Sequence, residues 1–392
     1  MSAAPTVPAG GSEGLAVYVH LPWCVSKCPY CDFNSHTLRG SLPEAQYVAA
    51  LLADLDADLP SLSGRRVASL FVGGGTPSLF SGRSIESLLI GVASRLEIAA
   101  DVEITLEVNP GTVERGRLAD YRAAGVNRLS IGAQSFDAGK LRVLGRIHGP
   151  EEISAAVAEA RAGGFSNINL DLMYGLPEQS PSQALADVRA ALALEPTHLS
   201  HYQLTLEPNT RFHHQPPPLP DEDTLWEIES ACRPVLVGAG FERYEVSAWA
   251  QPGAECRHNL AYWRFADYLG LGAGAHGKLS SAEGVRRRWR IAHPQGYLLA
   301  AAPRLAGERW LVAEDLVCEY LMNVLRLREG FTLAAFTART GLAAQQLAPS
   351  LERLRDRGLM TLEAGRWRAS DQGYAHLDGL LAEFLPAAPS PS

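Results

Sequence analysis

Six times between residues 16 and 208, an apolar run rich in β-branched residues ends in Gly, Pro, Asn or a polar residue. The runs are AVYVHLP (16–22), VASLFVGGG (67–75), EITLEVNPG (103–111), RLSIGAQS (128–135), NINLDLMYGLP (167–177) and HLSHYQLTLEP (198–208). Between them lie amphipathic stretches with helical spacing, among them 43–59, 84–96, 150–164 and 180–194. The last offers Ser180 as N-cap and Pro181 as the first helical residue. This alternation predicts an α/β fold, a parallel sheet covered by helices. Spacing alone fits an open doubly wound sheet and a barrel equally. In both, chemistry sits at the C-terminal ends of the strands. Found there are a cysteine cluster after the first run and Gly73-Gly74-Gly75-Thr76-Pro77 after the second. Glu107 and Asn109 follow in the third, Gln134 after the fourth and Asp171 in the fifth.

The rhythm breaks at QPPPLPDEDT (215–224), a Pro-rich connection. A second region runs to about residue 310 and contains a hairpin around SSAEG (280–284). Beyond it come three helical stretches, a hairpin in LMTLEAGRWRAS and a closing helix. That order suggests a small winged-helix-like α+β domain. Hydrophobic residues at 46% of 392 support a sizeable core. A net charge of −8 argues against a general nucleic-acid binder, and the mixed charge of LERLRDRG argues against DNA binding by the C-terminal domain. That domain is expected to contact protein or cover the barrel mouth. No run of 18 apolar residues occurs, so no membrane span is expected, which leaves peripheral membrane contact open. The opening MSAAPTVPAGGSEG lacks the pattern of a secretory signal, and the clustered cysteines suit a reducing compartment; the expected location is cytoplasmic.

The cysteines are spaced Cys24-x3-Cys28-x2-Cys31. A structural zinc site takes four ligands, and His20 or His36 could supply the fourth. A redox-sensing thiol group is another reading. A 4Fe–4S cube usually takes four cysteines, so three leave one iron for an exchangeable chelator. An amino acid binding through its amine and carboxylate, such as S-adenosylmethionine, would fit. Three glycines at a strand end allow close backbone approach to a ligand; read alone they are a tight turn.

Tyr18-x-His20-x-Pro22-x-Cys24-x3-Cys28-x-Tyr30-Cys31 followed by GGGTP resembles the radical SAM superfamily. EVNPGT, NRLSIGAQSF, LGRIHG, NLDLMYGLP and YQLTLEPNT, in that order, resemble its oxygen-independent coproporphyrinogen III oxidase-like branch. The resemblance spans Tyr18 to the end of the C-terminal domain. It implies a partial, TIM-like (β/α)6 barrel open at one side, with a 4Fe–4S cluster on Cys24, Cys28 and Cys31. It implies contacts to S-adenosylmethionine from Tyr18, Tyr30, Gly74, Gly75, Thr76 and Glu107. Gln134, Arg146, Asp171 and Thr205 match positions that contact a second nucleoside ligand in the oxidase. Carboxylates at strand ends can accept ribose hydroxyls, and an arginine can pair with a carboxylate through two donors. Without the resemblance, Glu107 and Asp171 read as capping or ion-pairing carboxylates. The expected division is a flexible tail 1–14, the partial barrel 15–215, a barrel-completing region 216–310, the winged-helix-like domain 311–385 and a flexible tail 386–392.

The branch holds two functional classes. The oxidase, a coproporphyrinogen III dehydrogenase, oxidatively decarboxylates two propionates in haem biosynthesis. The other class is a haem chaperone that binds haem and hands it to acceptor proteins. Three features depart from the oxidase. Its further cysteine, two residues after the third, is Phe33 here. Only a short low-complexity stretch precedes Tyr18. His258-Asn259-x-x-Tyr262-Trp263 resembles the HNxxYW motif of the chaperone class. An imidazole is a ready axial ligand for haem iron, and Tyr262 and Trp263 could flank a porphyrin; the plain alternative is a buried core histidine. Cys256 is a second-choice thiolate ligand, while Cys232 and Cys318 read as small buried residues. RRRWR (286–290) is expected to be an exposed hairpin strand, with haem propionates or an acidic partner as alternative contacts. The expected function is therefore haem carriage with no catalytic residues. Haem is the cargo and haem-accepting proteins are the partners, respiratory enzymes by resemblance. The dehydrogenase is the alternative.

Overall fold

The computed structural model describes residues 14–62, 64–112 and 117–385. Apart from Gly14, the tails expected at 1–14 and 386–392 lie outside the described residues. The six runs become β1 (Leu15–Leu21), β2 (Arg66–Gly74), β3 (Glu97–Val108), β4 (Arg128–Gln134), β5 (Asn167–Tyr174) and β6 (His198–Gln203), each parallel to the next. Between them run α1 (Glu44–Asp58), α2 (Gly82–Ala93), α3 (Arg117–Ala123), α4 (Pro150–Ala162) and α5 (Pro181–Ala193). The Ser180 hydroxyl accepts from the Gln183 N–H, and the Gln183 side chain accepts from the Ser180 N–H, closing a capping box ahead of Pro181.

Successive strand residues point to opposite faces. Val17 and Val19 of β1, Leu70 and Val72 of β2, and Leu129 and Ile131 of β4 join Leu51, Leu55, Leu88, Val157 and Val188 of the helices in the main core. The other face of β4 carries Arg128, Ser130, Gly132 and Gln134. The outer layer is thus packed apolar, and the barrel interior is polar.

The sheet is larger than six strands. After α6 (Glu222–Gly238) and β7 (Glu242–Glu245), β8 (Ala248–Ala250) adds antiparallel to β6, and β7 pairs antiparallel with β8 at the outer edge. At the other side, α7 (Arg257–Trp263) leads into β9 (Tyr268–Leu271), which runs parallel to β1 with Ala16 opposite Tyr268. β10 (His276–Ser281), β11 (Gly284–Arg290) and β12 (Leu305–Trp310) extend it as antiparallel strands, with the hairpin turn where the sequence placed it. Among the described residues the order is β12-β11-β10-β9-β1-β2-β3-β4-β5-β6-β8-β7. Its two ends do not pair, so the barrel is open as expected.

Arg286–Arg290 is not an exposed strand. Arg290, 3% exposed, donates to Asp54 and Asp58 of α1 and to the Gly270 carbonyl. Arg288 pairs with Asp58 at 2.6 Å, and Arg287 with Glu319 at 2.5 Å. The arginines clamp α1 and the C-terminal helices onto the sheet's edge.

The C-terminal segment folds as α8 (Ala313–Val324), α9 (Leu333–Thr340), α10 (Ala348–Asp356), the hairpin β13 (Met360–Glu363) and β14 (Arg366–Ala369), and two short helices to Ala382. Leu316, Tyr320, Phe336, Leu351 and Trp367 form its core, which also takes in Phe265 and Val285 from the preceding region. Cys232 is buried as expected, but Cys318 is only half-buried, its Sγ 3.7 Å from the Met322 Sδ.

Candidate functional site

A cavity of about 510 Å³ opens at the C-terminal ends of the parallel strands and runs into the barrel. That volume is within the range of small-molecule sites. All three clustered cysteines line it. So do Tyr30, Gly74, Gly75, Thr76, Glu107, Gln134, Arg146, Asp171 and Thr205. Of the expected contacts to S-adenosylmethionine and the second nucleoside ligand, Tyr18 alone is absent from the wall; its ring lies 6.3 Å from that of Phe71, which is in the wall.

The cysteine loop is pinned at both ends. His36 N–H donates to the Pro22 carbonyl at 2.7 Å and Leu38 N–H to the Cys24 carbonyl at 2.8 Å. His20 fixes the middle. Its Nε2 donates to the Asn34 carbonyl at 2.8 Å, so its Nδ1 accepts from the Tyr18 hydroxyl at 2.9 Å. Asn34 in turn donates to the carbonyls of Ala273 and Ala292, both at 2.8 Å. With both ring nitrogens engaged, His20 is not free to be a fourth zinc ligand. His36 already gives its Nε2 to the Asn34 amide oxygen at 3.1 Å.

The glycine run makes room for groups of this chain. A Cβ at Gly74, where φ is +118°, would stand 2.6 Å from the His20 ring. One at Gly75 would stand 2.6 Å from the Trp23 carbonyl, and one at Gly73 2.9 Å from the Glu107 carboxylate. The Gly74 N–H then donates to Glu107 Oε2 at 3.0 Å. The close approach expected toward a ligand is thus, first, an approach between β2, the cysteine loop and β3, which leaves Gly74 and Gly75 on the cavity wall.

Electrostatics inside the cavity follow from burial. Burial pushes the Cys24 and Cys31 thiols up, so metal loading must displace protons. Arg146 places a guanidinium nitrogen 3.8 Å from Cys28 Sγ and donates to the Gly132 carbonyl at 3.0 Å, while its buried Nε has no partner. Burial, then the nearby Asp171, raises the Glu107 carboxyl to about 7 against the hold of the Gly74 N–H. Asp171 is also raised by burial, with Asn169, Ser200, Arg128 and Ser130 acting the other way. Asp171 lies mid-strand rather than at a strand end, and it accepts from Asn169 Nδ2 at 2.8 Å. A bulge between Gly132 and Gln134 re-aims the chain. Gln134 sits at φ +67°, a left-handed conformation costly for a non-glycine residue, and accepts from the Tyr202 hydroxyl at 2.7 Å.

The HNxxYW residues lie elsewhere. His258, 2% exposed, packs against Phe71 with ring centroids 5.1 Å apart. Its Nδ1 bonds the Ser69 hydroxyl at 3.1 Å and its Nε2 the Tyr262 hydroxyl at 3.2 Å. Burial, then Arg128, lowers it to about 3, so it is neutral. Tyr262 meets Tyr268 edge-on at 4.3 Å, and Trp263 stacks under Arg326 at 4.3 Å. None of the three lines the cavity; Asn259 of the same motif does. Cys256, Sγ 3.6 Å from Glu103, is a thiol that burial pushes up to about 12, a poor haem ligand. The wall also holds strand residues that no sequence motif singled out: Phe71, Arg128, Ser130, Asn169, Ser200 and Tyr202. Their signal was the period of two along β2, β4, β5 and β6.

The thiol donor set and the open wall beside it fit a cluster with an exchangeable ligand better than a closed zinc site. Comparison with known proteins bears on this. Residues 18–191 match the radical SAM superfamily and 311–376 the HemN C-terminal domain. The chain is 50% identical over 372 residues to a protein of Escherichia coli named heme chaperone HemW, covering 95% of this chain and 98% of that one. It is 45% identical to the protein of the same name from Haemophilus influenzae, with coverage of 95% and 98%. The solved structure of coproporphyrinogen III oxidase (HemN) from Escherichia coli superposes with a TM-score of 0.80 at 25% identity, covering 95% of this chain and 90% of that one.

Proposed function

Because the chain belongs to the HemW family of radical SAM proteins, we propose that it is a haem carrier that binds haem and passes it to acceptor proteins. Membership of the superfamily implies a 4Fe–4S cluster and S-adenosylmethionine. Cys24, Cys28 and Cys31 would hold the cluster, leaving one iron for the amine and carboxylate of S-adenosylmethionine. Such a cluster, when bound, supplies one-electron reducing chemistry. The chain's own residues bind and orient. Gly74, Gly75, Thr76 and Tyr30 line the wall beside the cysteines, Glu107 presents a carboxyl to hydroxyl donors, and Arg146 offers an unspent N–H next to Cys28. Gln134, Asp171 and Thr205 extend that polar wall toward a second ligand.

One observation carries the carrier reading over the dehydrogenase. Near full-length identity of 50% is to a relative named heme chaperone, against 25% to the oxidase. Phe33 supports it. It stands 58% exposed at the cavity rim, where the oxidase pattern has a cysteine. His258 is held neutral, the form in which an imidazole ligates metal, but it must release Ser69 or Tyr262 to do so. Anaerobic titration with haem should give a saturable Soret shift in the parent chain. His258→Ala should weaken that binding about tenfold or more while leaving the cluster intact. Unchanged haem affinity in the variant would remove His258 from the haem site. No haem binding by the parent chain would end the carrier reading.

A further inference from the structure

The deep end of the cavity wall carries a charge without a hydrogen-bonding partner. Arg128, the first residue of β4, is 2% exposed and lines the cavity. Its Nε has no hydrogen-bond acceptor. The carboxylate paired with it, Glu103, keeps Oε2 4.0 Å from that nitrogen. The other oxygen of Glu103 is taken by the His258 N–H at 3.3 Å and the Cys256 thiol at 3.6 Å. A guanidinium out of water is costly unless its donors are met, and a carboxylate beyond hydrogen-bond distance meets none of them. Thr105, opposite Arg128 in the sheet register, has a buried hydroxyl that is also unpartnered.

Position narrows what could satisfy these groups. Arg128 precedes Gln134 by six residues, about 20 Å of extended strand. The cysteines line the far end, so the amino-acid end of S-adenosylmethionine is not the group that reaches Arg128. Between the two levels the wall offers Ser130 and Asn169, while Asn259 follows His258, whose N–H holds the Glu103 paired with Arg128. Glu103 and Asp171 lie in the field of the Arg128 charge, but its Nε is left without an acceptor, which an oxygen entering from the cavity would supply. A carboxylate matches a guanidinium in geometry and charge.

We propose that the deep end of the cavity, around Arg128 and Asn259, is a carboxylate-binding subsite, and that one propionate of the tetrapyrrole cargo occupies it. This rests on the haem-carrier reading. It also gives the Asn of the HNxxYW motif a place on the cavity wall while the His lies behind it.

The full chain, reconstituted without oxygen, tests this by titration with haem and with haem dimethyl ester, whose propionates are blocked. Esterification should weaken binding to the parent chain on the order of tenfold or more. Arg128→Gln should bind the two alike, and Arg128→Lys should restore part of the preference. Equal binding of haem and ester by the parent chain would overturn the inference, and that comparison needs no variant to fold. A separate arm measures thermal unfolding with sodium propionate. Stabilisation of the parent chain by free propionate, with no preference for haem over its ester, would make the subsite one for a free small carboxylate and refute the cargo assignment. If the parent chain binds neither haem nor ester, the carrier reading itself fails and takes this inference with it.

Discussion

Cys24→Ala is expected to abolish the broad visible absorbance and the iron content of the anaerobically reconstituted protein while the chain stays folded. Three thiolates would each hold one iron of the cluster, and two cannot hold a cube. The fold is insulated from the change. Cys24 ends a two-residue strand pairing with His36–Thr37, and the bonds across it are backbone to backbone. Cys28→Ala and Cys31→Ala should behave alike. Cys318→Ala, on α8 and outside the cavity, should keep full absorbance. Iron retained at parent levels by Cys24→Ala would show that other ligands hold it.

The largest effect on stability is expected at Asp267. Its carboxylate accepts from Lys278 Nζ at 3.0 Å, Arg65 at 2.5 Å, and the Ser280 N–H and hydroxyl at 2.8 and 2.7 Å. Lys278 is 1% exposed and stands 4.1 Å over the Phe265 ring. Removing one member of such a buried pair leaves the other charge uncompensated, at a cost of about 3–5 kcal/mol. Asp267→Asn should lower the free energy of urea unfolding by that amount. The position matters because the Asp267 carbonyl accepts from the Ala16 N–H at 3.2 Å, where β9 joins β1. Burial by itself would raise the Asp267 carboxyl, but Lys278 and Arg65 hold it well below the usual value near 3.8. Its contribution is therefore present above pH 3.8 and lost as acid takes the pH down through the depressed folded value. A loss under about 1 kcal/mol would mean that Lys278 finds another partner or solvent.

The β/α rhythm made six strands and their inner ends legible, and with them the cysteines, the glycine run, Glu107 and Asp171. The seventh parallel strand was not legible. Tyr268–Leu271 is only four residues long, and nothing in YLGL says that it runs beside β1. The clamp at Arg286–Arg290 was misread for a related reason. Asp54 and Asp58 are one turn apart on α1 and look like an exposed helix face, yet they are 0% and 1% exposed because arginines more than 200 residues later cover them. Arg128 alternates with Leu129, and Ser130 with Ile131, a pattern that fits a half-exposed strand as well as a polar barrel interior. HNxxYW was legible as a motif, but only the fold turns Asn259 toward the cavity and His258 behind it.

The central claim is that this radical SAM barrel carries haem rather than makes its precursor. The most direct test loads the chain with its cluster, adds reductant and S-adenosylmethionine, and follows haem binding and coproporphyrinogen III turnover side by side. Carriage predicts saturable haem binding, transfer of that haem to an apo-acceptor, and coproporphyrinogen recovered unchanged. Rapid formation of protoporphyrinogen by a protein that binds no haem would contradict it.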